Sequence, residues 1–341
     1  MKDMKTLLLQ EDGIPYAAEL LRSGEPVGMP TETVYGLGCD ATQPSAVRKV
    51  FAAKGRPSDN PLIVHIADIS EWGSLVREIP PLAMALAEKF WPGPLTIILP
   101  RSERIPPETA GGLDSVGVRL PAHPIAQEMI RAAGVPIAAP SGNRSGSPSP
   151  TTSAHMLADM DGRIPAIVEG GSCLGGVEST VVVLDDASTV RVLRPGLITV
   201  EMLNTVAERV IVDDAVLSQL APDAPVRSPG TKYRHYAPEA KIILVNGGQE
   251  EFLRYVKSQQ EEGVYALVFD ADLPLCSANG IPALSYGDTD AERAAAFFGK
   301  LRELDECGAK CVYVRAPRTD GIGLAVYNRL IRAAGYEVRT V

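Results

Sequence analysis

Five stretches of this chain gather residue types able to grip a small charged ligand. In "PTETVYGLGCDA" (30–41), Thr31, Glu32, Thr33 and Tyr35 precede Gly36 and Gly38. The glycines suit a turn needing backbone freedom, and the hydroxyls equally suit a polar ligand. In "KGRPSDNPLIVHI" (54–66), Lys54 and Arg56 leave a helix end, where the dipole alone favours cations. Arg56 with Asn60 also forms a donor set suited to an anion. His65 alternates with Val64 and Ile66, a pattern that on its own favours a satisfied core histidine. In "DSVGVRLPAHP" (114–124), Arg119 stands in an apolar strand-like run, so it must meet a carboxylate; a protein partner is the commoner case, a ligand's the other.

The fourth stretch, "AAPSGNRSGSPSPTT" (138–152), mixes serines, glycines, prolines and Asn143. It reads either as a surface loop or as a hydroxyl- and amide-rich nest around phosphates. It lacks the GK[ST] ending of a Walker loop. The fifth, "GGVESTVVVL" with "VLRPGLIT", supplies Glu178, Ser179, Thr180 and Arg194. No nucleophile elbow, HExxH or paired-cysteine metal motif accompanies them. Cations, hydroxyls and amides with few bases suit the alignment of charged reactants, with catalysis by proximity and electrostatic stabilisation.

These residues need a scaffold. A chain of 341 residues suggests two domains. At 45% hydrophobic and 22% charged residues it has the balance of a soluble globular protein, and its net charge of -9 argues against broad nucleic-acid binding while leaving a local basic cleft open. No run is long and apolar enough for a membrane span, and the start shows no secretion signal. The five cysteines form no CxxC pair. They read as the reduced thiols of a cytoplasmic protein.

The first 200 residues alternate apolar strands with amphipathic helices. Ile14, Ala17, Ala18 and Leu21 share one face before Gly24; Val47, Val50 and Phe51 share another between Pro44 and Gly55. Strands are expected at 61–66, 94–99, 115–120, 179–184 and 190–195, apolar enough to be covered on both faces, and a helix at 199–210 closes the region. Residues 212–239 read as a proline-rich linker. From Lys241 a second set follows, with strands in "KIILV", "VYALVFD" and "CVYVRAP" and helices near 248–260, 290–306 and 321–334. That order suggests a small parallel sheet.

"PTETVYGLGCDA", "KGRPSDNPLIVHI", "WPGPLTIIL", "VGVRLPAHP", "APSGNRSGSPSPT", "GVESTVVVL" and "LRPGLIT" occur in the order found in YrdC-like L-threonylcarbamoyladenylate synthases. The chain resembles the long form of that family over about residues 12–210 and again after the linker. The resemblance implies a YrdC-like twisted open α/β sheet domain (1–211), a linker that acts as a lid (212–239) and a small Rossmann-like α/β domain (240–341). It implies formation of threonylcarbamoyl-AMP and pyrophosphate from L-threonine, bicarbonate and ATP. Mg2+ would be held through the ATP phosphates, with no metal ligands assigned to protein side chains. Downstream proteins would transfer the threonylcarbamoyl group to position 37 of tRNA, with weak tRNA contact by this chain an open question.

The family's Lys-x-Arg and Ser-x-Asn signature matches Lys54, Arg56, Ser141 and Asn143, with Lys54 and Arg56 as the catalytic pair. Its threonine site falls on Thr33, His65, Arg119, Ala139 and Ser179. Its ATP site falls on Arg56, Asn60, Ser115, Ser141, Asn143, Ser149, Arg194 and Tyr236. Gly142 departs from a frequent alanine. The linker stretch "SPGTKYRHYAP" (228–238), with Arg227, Lys232, Arg234 and no acid from 227 to 236, fits a lid over a nucleotide better than a bare spacer. Two rivals remain at this stage. One is hydrogenase-maturation carbamoyl transfer, which the lack of CxxC pairs disfavours. The other is an RNA-binding module, disfavoured by the acidic balance and the 5% aromatic content.

Overall fold

The computed structural model describes residues 5–56, 60–218, 236–259 and 261–341. Its first sheet has eleven strands: β1 (Leu7–Leu9), β2 (Val27–Met29), β3 (Gly36–Asp40), β4 (Ile63–His65), β5 (Leu95–Pro100), β6 (Ser115–Arg119), β7 (Ile137–Ala138), β8 (Ala166–Val168), β9 (Thr180–Leu184), β10 (Thr189–Arg194) and β11 (Arg209–Val212). They lie in the order β1-β8-β2-β3-β7-β4-β6-β5-β9-β10-β11, with parallel and antiparallel neighbours mixed.

Strand alternation decides what each face carries. Ala166 and Val168 join the cluster built by helices Ile14–Arg22 and Pro124–Ala133, while Ile167 between them faces the larger core on the other side. Along the central strands, Val64, Val116, Val118 and Ile97 enter that larger core with helices Pro44–Lys54 and Pro81–Phe90. Their odd-phase neighbours Ile63, His65, Ser115, Gly117 and Arg119 therefore share the opposite face. Parallel pairing aligns Ile63 with Gly117 and His65 with Arg119. As expected of strands covered on both sides, this opposite face is buried too, but it carries polar groups beside the apolar ones. Helix Pro44–Lys54 ends as its sequence requires, on Gly55 in the left-handed region (φ 62°).

The helix expected at 199–210 is shorter, Val200–Leu203. A turn follows at 204–206, and from Arg209 the chain enters β11, whose β-branched run Val210–Val212 pairs in parallel with the edge of β10.

The second sheet contains β12 (Lys241–Asn246), β13 (Val264–Val268), β14 (Ala283–Ser285), β15 (Cys311–Arg315) and β16 (Val338–Thr340), in the order β14-β13-β15-β12-β16 and parallel throughout. Helices Gln249–Ser258, Asp290–Glu306 and Gly321–Ala333 match the expected positions. The short strands β14 and β16 carry too little pattern to stand out in the sequence. Helices Asp290–Glu306 and Gly321–Ala333 bury Phe297, Phe298, Leu301, Ala325, Val326 and Leu330 in a cluster that also takes in Val34 and Val177 from beside the first sheet. The two sheets are thus joined through a shared apolar seam. Residues 219–235, which include most of the expected lid, lie outside the described residues.

Candidate active site

On the polar face of β4 and β6 lies a small pocket of about 60 Å3. Nine of the residues expected from the sequence line it: Thr33, Arg56, His65, Arg119, Ala139, Ser141, Ser179, Arg194 and Tyr236. They come from eight separate places along the chain, which converge because each is a strand end or a loop beside one.

Arg119 is anchored on three sides. Its Nη2 lies 2.6 Å from Glu32 Oε1, Nη1 donates to Thr33 Oγ1 (3.0 Å), and Nε donates to the Gly93 carbonyl (3.3 Å). The expected carboxylate partner is thus the protein's own Glu32. Burial opposes ionisation of Glu32, but the charge and hydrogen bonds of Arg119 outweigh it and keep the carboxyl below its ordinary pKa. Thr33 Oγ1 sits 2.8 Å from Thr31 Oγ1, which donates to the Val34 carbonyl at 2.6 Å.

His65 is fully buried, with Nδ1 3.2 Å from the Ile63 carbonyl. Burial first, and the nearby Arg119 charge second, push its pKa down to about 3. The imidazole is therefore neutral, and it lines the pocket, so both the core and the site readings of this residue hold.

Arg194 donates from Nε to the Ser179 carbonyl and from Nη2 to Ser179 Oγ, both at 3.1 Å. Ser179 Oγ also lies 2.8 Å from Thr96 Oγ1. Burial lowers the Arg194 pKa to about 10, still leaving it cationic near neutrality. Tyr236 holds a left-handed backbone (φ 66°), uncommon for a non-glycine residue. Its ring is buried against Phe298 at 5.3 Å between centroids, and Ala237 N donates to the Gly146 carbonyl at 2.9 Å.

Lys54 does not border the pocket. Its Nζ donates to the carbonyls of Ser141 and Asn143, the latter at 2.7 Å, while Ser145 N returns a bond to the Lys54 carbonyl. Burial, with Arg56 adding to it, pulls its pKa well below the ordinary lysine value. Asn143 also turns inward, donating from Nδ2 to the carbonyls of Arg144 (2.8 Å) and Ser147 (2.7 Å). These two signature residues shape the 141–147 loop. Gly142 is accommodated by Met156, whose Cε and Sδ stand at 2.6 and 2.8 Å from where a Cβ would be.

Ser149 is buried behind the pocket, donating to Glu178 Oε1 at 2.5 Å. Asn60 is buried beside Pro61, which borders the pocket, without bordering it itself. Ser115 shares the Arg119 face but lies four residues along β6, roughly 13 Å at strand rise, and lines an adjoining depression with Pro61, Thr96 and Gly117.

Sequence reasoning noted Glu32 and Glu178 without placing either in a site. Glu178 lines the pocket. Burial opposes its charge, but Arg329 and then Arg194 hold its pKa below the ordinary value. Arg329 lies over 150 residues later in the chain, and no local signal connects the two.

Among the described residues, no group of three or more His, Cys, Asp or Glu could hold a metal ion, and no helix is long and apolar enough to cross a membrane. The cysteines are free, Cys39, Cys173 and Cys276 buried and Cys307 exposed.

Comparison with known proteins bears on both halves of the chain. A family model described as telomere recombination matches residues 19–196, and one described as the C-terminal domain of threonylcarbamoyl-AMP synthase matches 198–335. A threonylcarbamoyl-AMP synthase of Pyrococcus abyssi is 42% identical over 334 residues, 97% of this chain and 96% of that protein. One of Bacillus subtilis is 43% identical over 328 residues, 95% of this chain and 94% of its own. The solved structure of P. abyssi Sua5 complexed with L-threonine superposes with a TM-score of 0.89 at 41% identity, covering 98% of this chain and 99% of that one.

Proposed function

From the premise that this chain belongs to the threonylcarbamoyl-AMP synthase family in its two-domain form, we propose how its pocket carries out that nucleotidyl transfer. The observation that carries the reading is the convergence of Arg56, Arg119 and Arg194 with the hydroxyls of Thr33, Ser141 and Ser179 on one small pocket. A zwitterionic amino acid and a polyphosphate are the reactants such a lining suits.

In this reading L-threonine takes the end formed by Thr33, His65, Arg119, Ala139 and Ser179. Its carboxylate shares Arg119 with Glu32, and neutral His65 adds no second charge to repel the amino group. ATP takes the side of Arg56, Asn60, Ser141, Arg194 and Tyr236, with the depression at Ser115 extending it. Lys54, Asn143 and Ser149 act through the loop carbonyls and through Glu178. The threonine nitrogen forms a bond to the carbon of CO2 or bicarbonate, releasing a proton or water and giving an N-carboxylate. An oxygen of that carboxylate bonds to the α-phosphorus of ATP as the bond to the β-phosphate oxygen breaks, and pyrophosphate leaves. Arg56 offsets the charge that develops on the phosphates.

Mg2+ enters as part of the ATP substrate; the donor set of the described residues does not furnish a separate cage, and no step is assigned to the ion. Residues 1–211 would hold the pocket, 212–239 cover it and 240–341 support it. The product would pass to tRNA-modifying transfer proteins, and the enzyme would work in the cytoplasm.

The test is pyrophosphate release by the purified protein with ATP, Mg2+, bicarbonate and single amino acids. Release requiring both L-threonine and bicarbonate, with threonylcarbamoyl-AMP detected by mass spectrometry, is expected. Release indifferent to threonine would overturn the reading.

A further inference from the structure

One buried side chain of the second domain reaches the residues behind the pocket. Arg329, on helix Gly321–Ala333, is fully buried. Its Nε donates to Glu178 Oε2 at 3.0 Å and its Nη2 to the Glu178 carbonyl at 3.2 Å. Its Nη1 donates to the Pro195 carbonyl at 2.6 Å and to Asn328 Oδ1 at 3.0 Å. One guanidinium thus grips two places in the first domain, each next to an arginine- or hydroxyl-bearing residue of the pocket: Glu178 precedes Ser179, and Pro195 follows Arg194. The other oxygen of Glu178 accepts from Ser149.

The surrounding contacts fix this arrangement. Asn328 Nδ2 donates to the Val216 carbonyl at 2.6 Å and Arg332 Nη2 to the Ala215 carbonyl at 2.8 Å, so the same helix also secures the start of the linker just after the first domain. Gly176, two residues before Glu178, has a left-handed backbone (φ 68°), and a Cβ there would collide with the backbone of Ala294 and Ala295. A glycine is required for helix Asp290–Glu306 to come this close. Arg302 of that helix also pairs with Asp159 and donates to the Pro148 carbonyl, both at 2.6 Å, next to Ser149.

We propose that Arg329 is a positioning residue for the reaction: by holding Glu178 and the Pro195 carbonyl it fixes Ser149, Ser179 and Arg194, so the second domain completes the reacting pocket. This rests on the functional reading above. The chemistry needs a rigid grip because Glu178 borders a pocket that is to receive phosphates. A carboxylate left unpaired there would repel them and would itself be costly to keep charged. Groups bearing on Glu178 are Arg329, Arg194, Lys54 and Tyr236. Of these, Arg329 alone comes from beyond residue 236.

The test is a double-mutant cycle on the full chain with Arg329→Met, Glu178→Gln and the double variant. Arg329→Lys is added as the charge-conserving change. Nucleotide affinity is read by calorimetry with ATP and Mg2+, independently of turnover; KM and kcat are read by pyrophosphate release, and folding by thermal melting. The expected result is that Arg329→Met weakens ATP binding at least tenfold near neutral pH, with the loss shrinking as pH falls and Glu178 takes up a proton. Glu178→Gln in the same chain should recover most of that loss, and Arg329→Lys should fall between. If Arg329→Met does not fold, the cycle of Arg329→Lys with Glu178→Gln reads the same coupling. Losses that simply multiply in the double variant, or a variant with lowered melting temperature and unchanged ATP affinity, would overturn the proposal. A wild-type protein that binds ATP but releases no threonine-dependent pyrophosphate would count against the functional reading instead, while the coupling between Arg329 and Glu178 is still measured by calorimetry.

Discussion

Each sheet carries a buried arginine–carboxylate pair at a strand end, and the two pairs serve different ends. In the first sheet Arg119 at the end of β6 meets Glu32 at 2.6 Å and still borders an open pocket. In the second, Arg315 at the end of β15 meets Asp272 at 2.5 Å. Asp272 is fully buried and also accepts from Gln249 Nε2 (2.6 Å) and Phe269 N (3.1 Å), while the guanidiniums of Arg293 and Arg315 lie 4.3 and 4.6 Å from the centre of the Phe269 ring. The carboxyl ends of parallel strands are where α/β folds place ligands, yet here that ground is filled by the protein's own polar groups. Position in the fold offers a place for chemistry; a cation that still faces a cavity makes it usable.

The sharpest way to break this contrast is Arg119→Met. It strands Glu32 in a buried place and removes the cation expected to meet the threonine carboxylate. Stability should fall by about 3–5 kcal/mol, and the KM for threonine should rise about a hundredfold or more, as for truncating one partner of a buried charge pair. Urea unfolding and pyrophosphate release measure the two effects. Arg315→Met should lower stability by a similar ~3–5 kcal/mol but leave KM for threonine and ATP within about twofold in the folded protein, because the sites are remote and share no partner. An equal loss of threonine affinity in both variants would erase the distinction.

A smaller effect is set by pH. His65 is neutral in the folded protein down to about pH 3, whereas the unfolded chain takes up its proton near pH 6.5. The unfolded state therefore binds more protons between those values, and stability falls as pH drops through that window, by up to about 1.4 kcal/mol per unit. Urea midpoints from pH 7 to pH 5 should show this slope, and His65→Asn should flatten it. The smallest change expected is Arg48→Ala, which breaks the exposed pair of Arg48 with Glu108. It should cost less than about 1 kcal/mol and leave turnover intact; a measurable drop in turnover would mean that surface charge reaches the pocket.

Much of this molecule was legible locally. The helices with an apolar face and a glycine stop, Ile14–Arg22 and Pro44–Lys54, lie where the periodicity puts them, and so do the three long helices of the second domain. Local sequence suffices there because burial of one face and the left-handed cap are decided within a few turns. It failed at 204–210, where a turn and then pairing with the edge of β10 replaced the expected helix.

In the pocket, sequence by itself determined which residue types were available and that Arg119 needed a carboxylate. Tertiary structure decided that the carboxylate is Glu32, and that Lys54 Nζ donates to the carbonyls of the 141–147 loop. It also decided that Arg329 comes from the far domain to hold Glu178. The reason is physical. A buried charge must be paired, which sequence can demand, but the partner is whichever group the folded backbone brings within hydrogen-bond reach.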